Sequence, residues 1–148
     1  MTCDVNGADI SVSRNAEQQV LPLIKDMSNC SDLVPAVAVA CCMASGESVL
    51  SGIGFIRNKE SDRLGDLAKE LNRAGAKVTV EHDGLRILGP CSWTSVVFDT
   101  HHDHRMAMAF APLALKIPLQ IEASDVVSKS YPDFWIDLTK IGITINKS

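Results

Sequence analysis

The stretch ESVLSGIGFIRNKESDRLGDLAKELNRAGAKVTVEHDGLRIL, residues 47–88, carries the clearest structural pattern in this chain. Its apolar residues at 64, 67, 68 and 71 recur on one face of a helix, which predicts an amphipathic helix over Glu60–Ala74. Glu47–Ile53 reads as a strand before that helix. The Asp83-Gly84 pair after it predicts a β-hairpin. The stretch therefore reads as strand, helix and two paired strands.

The residues before this stretch repeat the same kinds of element. Asn6-Gly7 predicts a first hairpin, and Val20–Asp26 reads as a further strand. A helix follows to about Ala44, with Ser31 or Asp32 as its N-cap and a proline in its first turn.

The residues after it continue the alternation of strands and helices. His101–Arg105 stands at the start of a helix that extends to about Leu115. The other predicted elements are strands over Val96–Asp99 and Leu119–Glu122, a helix over Tyr131–Ile141 and a closing strand over Ile143–Asn146.

This order predicts an α+β (α/β-like) fold of repeated β-α-β-α-β-β units, with helices packed against mixed sheets. The second unit is cut short at the C-terminus. No linker or low-complexity stretch divides the chain, so we expect a single domain over residues 1–148.

Composition excludes several classes of protein. The net charge of -4 provides no general attraction for nucleic acid or an anionic membrane surface. No run of 18 apolar residues predicts a membrane span, and the polar first twenty residues do not resemble a secretory signal. We therefore expect neither nucleic acid nor a membrane as a partner.

The cysteines indicate a reducing environment. Five cysteines without C-x-x-C spacing argue against a disulfide framework and a structural zinc site. Cys41 and Cys42 lie in an apolar run and are predicted to be buried thiols. We expect a cytoplasmic protein.

Three polar segments stand where the predicted secondary structure does not need them. Residues 57–63 (RNKESDR) place Lys59 and Arg63 at a predicted helix start, where free N–H groups favour an anion. Glu60 beside those cations can donate or accept a proton. The alternative is a solvated first turn whose acidic residues balance the helix dipole.

The other two segments leave similar alternatives. Residues 101–105 (HHDHR) suggest either a metal site or a capping Asp103 followed by a His-Arg pair directed at an anion. Lys129, before a third predicted helix, reads by itself as a surface lysine. A cation at each of three such junctions suggests a polyanionic small molecule.

Four motifs together resemble the 5-enolpyruvylshikimate-3-phosphate synthase family (3-phosphoshikimate 1-carboxyvinyltransferases). Residues 59–64 (KESDRL) resemble its K-E-x-x-R-L segment, and residues 103–108 (DHRMAM) resemble its D-H-R-x-A-M signature. Residues 129–134 (KSYPDF) are similar to its K-[ST]-[FY]-P-x-F segment, and residues 31–35 (SDLVP) to its S-D-A-V-P helix start. The motifs occur in the family's order and cover roughly residues 20–142.

The resemblance implies a reaction and a partner. Members of the family move the enolpyruvyl group of phosphoenolpyruvate to the 5-hydroxyl of shikimate 3-phosphate, without a metal or an organic cofactor. They have two lobes, each built from three β-α-β-α-β-β units. This chain matches only the C-terminal part of the C-terminal lobe, so the resemblance implies the N-terminal lobe as its partner.

The resemblance also implies roles for proton transfer. Asp32 would contact the ring hydroxyls and take the 5-hydroxyl proton. Glu60 would protonate the methylene carbon and remove a proton in the elimination, and Lys59 would hold the shikimate ring and share in proton transfer.

Four further residues would bind substrate by the same resemblance. Arg63 and Arg105 would bind the phosphoenolpyruvate anion, Lys129 would neutralise its phosphate, and His104 would line that pocket. One departure is Phe55, which stands where the motif often has a polar residue. A hydrogen bond to the shikimate phosphate is then lost or supplied by another residue.

Two other functions remain open. The related transferase that acts on a UDP-aminosugar has the same fold, but its catalytic cysteine lies in the other lobe, and the Lys59-Glu60 pair with Arg63 favours the shikimate enzyme. The other alternative is a stand-alone anion-binding or assembly module.

Overall fold

The computed structural model describes residues 2–13 and 19–146. The strands in these ranges are β1 (Thr2–Asn6), β2 (Asp9–Ser13), β3 (Ile24–Asp26), β4 (Gly46–Ser51), β5 (Val78–Glu81), β6 (Gly84–Gly89), β7 (Val97–Phe98) and β8 (Gln120–Ile121). The α-helices are α1 (Val34–Cys41), α2 (Gly65–Arg73), α3 (His104–Phe110) and α4 (Phe134–Lys140). Several 3₁₀ segments connect them.

The strands form one mixed sheet and two small ones. The mixed sheet has the order β3-β4-β6-β5, in which β3 and β4 are parallel and the other pairs are antiparallel. Strands β1 and β2 form an antiparallel pair, and β7 and β8 form a parallel pair. Each parallel pair is connected through a helix, α1 or α3, as a parallel crossover requires. The predicted mixed sheets with helices are confirmed.

The helices cover the sheets with apolar side chains. Helix α2 buries Leu67 and Leu71 on the predicted face, and α1 packs against α3 and β6. The rings of Phe98 and Phe110 stack with their centroids 4.3 Å apart, which joins β7 to α3. Burying each such side chain stabilises the fold by roughly 2 kcal/mol.

Both predicted hairpins are present. In each, the turn is displaced by one residue from the predicted pair, which is Asn6-Gly7 in the first hairpin and Asp83-Gly84 in the second. In the first, Asn6 pairs with Asp9 across the turn. In the second, Glu81 pairs with Gly84, so Gly84 begins β6. A Cβ at Gly84 would collide with the Leu50 carbonyl oxygen on β4, which explains why this strand position requires glycine.

Helix α2 begins five residues later than predicted. The Asp62 side chain accepts a hydrogen bond from the Gly65 N–H (3.0 Å), and its carbonyl accepts one from Asp66 (2.7 Å). This local turn competes with the helix, so Lys59 and Glu60 precede α2 rather than forming its first turn.

The predicted N-cap of α1 is wrong. Residues Ser28–Leu33 form a 3₁₀ segment before the helix, and Leu33 occupies the cap position without a side-chain cap bond. Asp32 lies inside that segment. Its carboxylate does not cap the helix, because it accepts hydrogen bonds from Arg63 and Arg105 instead.

The predicted elements near the C-terminus are shorter in the structure. Helix α3 ends at Phe110 and a 3₁₀ segment continues over Ala111–Leu115. Helix α4 begins at Phe134 rather than at 131. Residues 143–146 form no strand, so the closing strand is wrong; Ile143 instead packs against Leu138 and its N–H continues the end of α4.

Two other expectations can be compared with the structure. Cys41 and Cys42 are buried, as predicted. In the described ranges no helix has the length and apolar character needed to cross a bilayer.

Two helix ends allow a test of steric cost at glycine. Gly75 ends α2 in a Schellman motif, in which its N–H and that of Ala76 bond the carbonyls of Asn72 and Leu71. Gly142 ends α4 in the same way, and both have left-handed φ values, +93° and +95°. A Cβ at Gly75 would also collide with the Ser92 carbonyl, whereas one at Gly142 meets nothing within 4 Å.

We therefore expect Gly142→Ala to lower the free energy of unfolding by about 1–2 kcal/mol, the cost of a left-handed alanine. Gly75→Ala should lower it further, because the Ser92 carbonyl must also move. Urea denaturation followed by circular dichroism measures both. Equal losses would show that the segment at Ser92 yields without cost.

Because Cys41 and Cys42 are buried thiols, the free energy of unfolding depends on pH in the alkaline range. Burial, reinforced by Cys91, raises the pKa of the Cys42 thiol above its usual value of 9.0, and burial raises the pKa of Cys41. A raised pKa means that the unfolded chain loses its proton first. Stability is therefore complete below about pH 8 and falls above pH 9, by about 1.4 kcal/mol per pH unit for each thiol.

Urea midpoints measured between pH 7.5 and pH 10.5 test this dependence. Cys42→Ala should remove the contribution of that thiol, so that the free energy of unfolding falls less steeply as the pH rises above 9. An unchanged slope in the variant would contradict the assignment.

Candidate active site

Arg63 lies at the centre of a network of ion pairs. Its side chain is 1% exposed, and each of its three nitrogens contacts a different carboxylate. Nε donates to Asp103 Oδ2 (2.7 Å), Nη1 to Asp32 Oδ1 (3.2 Å) and Nη2 to Glu60 Oε2 (2.5 Å). The planar guanidinium thereby fixes three carboxylates in one arrangement.

Arg105 joins the same network from the other side. Its Nη2 donates to Asp32 Oδ2 (2.7 Å), and its backbone N–H donates to Asp103 Oδ1 (2.8 Å). Asp32 therefore bridges both guanidinium groups, and Asp103 bonds both arginines while it caps α3. The predicted cap is confirmed.

The network has a buried floor and an exposed rim. The floor is the Arg63–Asp103 pair, in which the carboxylate is completely buried. The rim consists of Asp32, Glu60 and Arg105, whose side chains are 51%, 48% and 31% exposed. Leaving one partner of a buried pair alone costs about 3–5 kcal/mol, so the floor fixes the geometry from which the rim can act.

Three separate segments deliver these side chains. Asp32 comes from the 3₁₀ segment before α1, Glu60 and Arg63 come from the turn before α2, and Asp103 and Arg105 come from the start of α3. The packing of α1 against α3 brings two of the segments together. Residues 31, 40 and 73 positions apart in sequence therefore become hydrogen-bond partners.

The structure brings four of the seven predicted site residues into this network: Asp32, Glu60, Arg63 and Arg105. Lys59 is exposed and lies beside Phe55, with Nζ 5.9 Å from the ring centroid. The aromatic residue that departs from the family motif therefore contacts the motif lysine by a cation–π interaction.

Among the described residues, His104 and Lys129 form no hydrogen bond to the network. His104 is half-buried in the first turn of α3. Lys129 is the exposed last residue of a 3₁₀ segment, Ser124–Lys129, whose Val126 and Val127 pack against Ala107 of α3. His104 therefore belongs to α3, and Lys129 belongs to a segment that packs against it.

The histidine cluster does not gather around one point. Asp103 faces Arg63, whereas the His101 ring lies beside Glu70 on α2. Within residues 2–13 and 19–146, no three His, Cys, Asp or Glu side chains are placed to hold a metal ion together.

Sequence reasoning missed two carboxylates. Asp103 was expected only as a cap, yet it also forms the floor with Arg63, and Ser61 Oγ lies 3.4 Å from it. Glu70 is completely buried, although it belongs to a helix with a solvated face. Its spacing of three from Arg73, with which it pairs, is the one local signal that could have drawn attention to it.

The rim supplies two kinds of chemistry. Glu60 and Asp32 are carboxylates open to solvent and are able to exchange protons, and Arg105 presents a guanidinium to any anion that enters. The two guanidinium groups face three carboxylates, so the network by itself is anionic. Entry of a further anion requires a carboxylate to release an arginine or other cations to approach.

Relatives with known names share this sequence and fold. A family model described as EPSP synthase (3-phosphoshikimate 1-carboxyvinyltransferase) matches residues 1–138. A 3-phosphoshikimate 1-carboxyvinyltransferase of Clostridium novyi is 38% identical over 95% of this chain and 34% of its own length. One of Methanopyrus kandleri is 41% identical over 82% of this chain and 28% of its own length.

Two solved structures of similar proteins have the same fold as this chain. An EPSP synthase of Acinetobacter baumannii superposes with a TM-score of 0.80 at 29% identity over 86% of this chain and 32% of its own. The enolpyruvyl transferase NikO of Streptomyces tendae superposes with a TM-score of 0.79 at 25% identity, over 99% and 34% of the two chains. The chain spans about a third of the length of the relatives it matches. This chain belongs to the EPSP synthase family.

Proposed function

We propose that this chain supplies part of the active site that transfers the enolpyruvyl group of phosphoenolpyruvate to the 5-hydroxyl of shikimate 3-phosphate, a step of aromatic amino-acid biosynthesis. One observation carries the proposal. The residues of three motifs, Asp32, Glu60 with Arg63, and Arg105, meet in a single network of charged groups although they come from separate segments.

Glu60 and Asp32 have the positions needed for proton transfer. Glu60 contacts Arg63 through Oε2, which leaves Oε1 to protonate the methylene carbon and to take a proton back in the elimination. Asp32 lies across the guanidinium from it and would accept the 5-hydroxyl proton. Because the two carboxylates share Arg63, the protein holds base and acid at a fixed separation. Lys59 would contact the acceptor and share in the transfer.

Arg63 and Arg105 would bind the phosphoenolpyruvate anion. Arg105 is one-third exposed and bonds only Asp32 with its guanidinium, so an incoming phosphoenolpyruvate can replace that carboxylate. Arg63 would contribute from the floor of the site. His104, in the first turn of α3, and Lys129, on the 3₁₀ segment that packs against α3, would approach the leaving phosphate.

The reaction also needs groups that these residues do not provide. Phosphoenolpyruvate brings a carboxylate and a phosphate to a network that is already anionic. The matched relatives are about three times as long, and we propose that the missing cations belong to their remaining part, the N-terminal lobe.

The same proposal includes the compartment. Cys30, Cys41, Cys42 and Cys91 are free thiols, which supports a reducing cytoplasm.

A second candidate is enolpyruvyl transfer to a different acceptor. It is supported by the likeness to NikO, which is described as an enolpyruvyl transferase and superposes over 99% of this chain. The acceptor is the only point on which the two candidates differ.

The 148-residue chain by itself should release no phosphate from phosphoenolpyruvate and shikimate 3-phosphate. Positioning of two substrates supplies about 7–11 kcal/mol of such a barrier, and these residues provide only part of the anion-binding groups. Phosphate release measured with and without a separately expressed N-terminal lobe tests this. Turnover by the chain alone would contradict it.

A chimera tests the proposed function directly. In it this chain replaces the matching third of the Clostridium novyi relative, and turnover is measured with shikimate 3-phosphate. Glu60→Gln should lower kcat by about 10²–10⁴-fold, because a general acid and base is lost while the size of the side chain is kept. The exposed Glu122→Gln is the matched control and should leave kcat unchanged. An inactive but folded chimera, or an active Glu60→Gln variant, would overturn the proposal.

A further inference from the structure

A second cluster of charged side chains lies behind the candidate active site. Glu70, on α2, is completely buried, although its neighbours Lys69 and Arg73 are exposed. Arg73 pairs with its Oε2 (2.5 Å), which also accepts the backbone N–H of Asp99 (3.3 Å). A buried carboxylate on α2 therefore holds the residue that follows β7.

His101 completes this cluster. Its Nε2 lies 3.4 Å from Glu70 Oε1, and its Nδ1 lies 3.6 Å from Asp66 Oδ1 and 3.8 Å from Asp99 Oδ2. The ring is mostly buried among three carboxylates, two of them on α2. His102 beside it is exposed, and among the described contacts its ring has no hydrogen bond.

The turn that carries both histidines is strained. His101 and His102 have φ values of +49° and +58°, in the left-handed region that is unfavourable for a residue with a Cβ. Such a conformation persists only where the surroundings determine it. Here the contacts of His101 and Asp99 with Glu70 hold the turn in this conformation.

The turn ends at the floor of the active site. The N–H of Asp103 bonds the carbonyl of Thr100 (2.9 Å), and the Asp103 carboxylate then receives Arg63 Nε and the Arg105 N–H. A shift of the turn would therefore displace the group that orients both arginines. One route of contacts joins Glu70 on α2 to the rim of the site.

We infer that Glu70 and His101 are positioning residues for the proposed enolpyruvyl transfer. They hold the left-handed turn against α2, so that Asp103 meets Arg63 and both arginines face the phosphoenolpyruvate anion. Neither touches the rim itself. The inference rests on the proposed function for its chemistry, and on the contacts above for its geometry.

The first experiment needs no activity. The Nε–H signal of Arg63 in a ¹⁵N-labelled chain reports its bond to Asp103, and hydrogen exchange reports its protection. His101→Ala should shift this signal and speed its exchange by at least tenfold, as should Glu70→Gln. His102→Ala is the matched control, since it changes a left-handed histidine of the same turn without a ring contact, and should leave the signal in place.

His101→Asn serves if the alanine variant fails to fold. Asparagine tolerates the left-handed conformation and retains a donor for Glu70, so it should keep the signal within the wild-type range. An unchanged signal in both His101→Ala and Glu70→Gln would overturn the inference. So would equal shifts in the His101→Ala and His102→Ala variants.

The second experiment uses the active chimera. His101→Ala should raise KM for phosphoenolpyruvate about tenfold and leave KM for shikimate 3-phosphate unchanged, and His102→Ala should change neither. A loss of kcat with both KM values unchanged would indicate only fewer folded molecules and would overturn the inference. An inactive wild-type chimera would overturn the proposed function instead, while the signal of Arg63 still decides the geometry.

Discussion

The buried ion pair between Arg63 and Asp103 is the interaction on which the rest of the site depends. A guanidinium removed from water needs a compensating charge and hydrogen-bond acceptors at its nitrogens. This chain provides Asp103 at Nε, Asp32 at Nη1 and Glu60 at Nη2. Each of those carboxylates comes from a different segment. Satisfying one arginine therefore brings three helix-to-loop junctions together, and the reactive groups are the exposed members of that arrangement.

The same pair explains how a rigid site can be built from turns. Neither Glu60 nor Asp32 lies in an α-helix, since Asp62 delays the start of α2 and a 3₁₀ segment precedes α1. Their positions come instead from the charges around Arg63. On the other side, the left-handed turn at His101 is held by a carboxylate of α2. Helix α2 is thus linked to the site twice, through the turn at Arg63 that precedes it and through Glu70, which contacts His101.

The network contains more carboxylates than arginines, and this excess determines how it can bind an anion. Two arginines face three carboxylates, and the surplus negative charge is tolerable because Asp32 and Glu60 are half exposed to water. A substrate anion therefore competes with carboxylates that already occupy the guanidinium groups. The chain spans about a third of its relatives' length, and under the proposed function the cations that relieve this competition would come from the remaining part.

The sequence by itself determined the order of strands and helices as far as α4, the two hairpins and the apolar face of α2. It also determined the cap at Asp103 and the burial of Cys41 and Cys42, because all of these depend on spacing and on local hydrogen bonds. It also singled out Glu60, Arg63 and Arg105 by their motifs, and these three residues meet in one network of charged groups. Only the tertiary structure decided that Asp32 bridges arginines instead of capping α1 and that Glu70 is buried. Those outcomes depend on partners 31–73 residues away, and no local pattern encodes where a distant charge will lie.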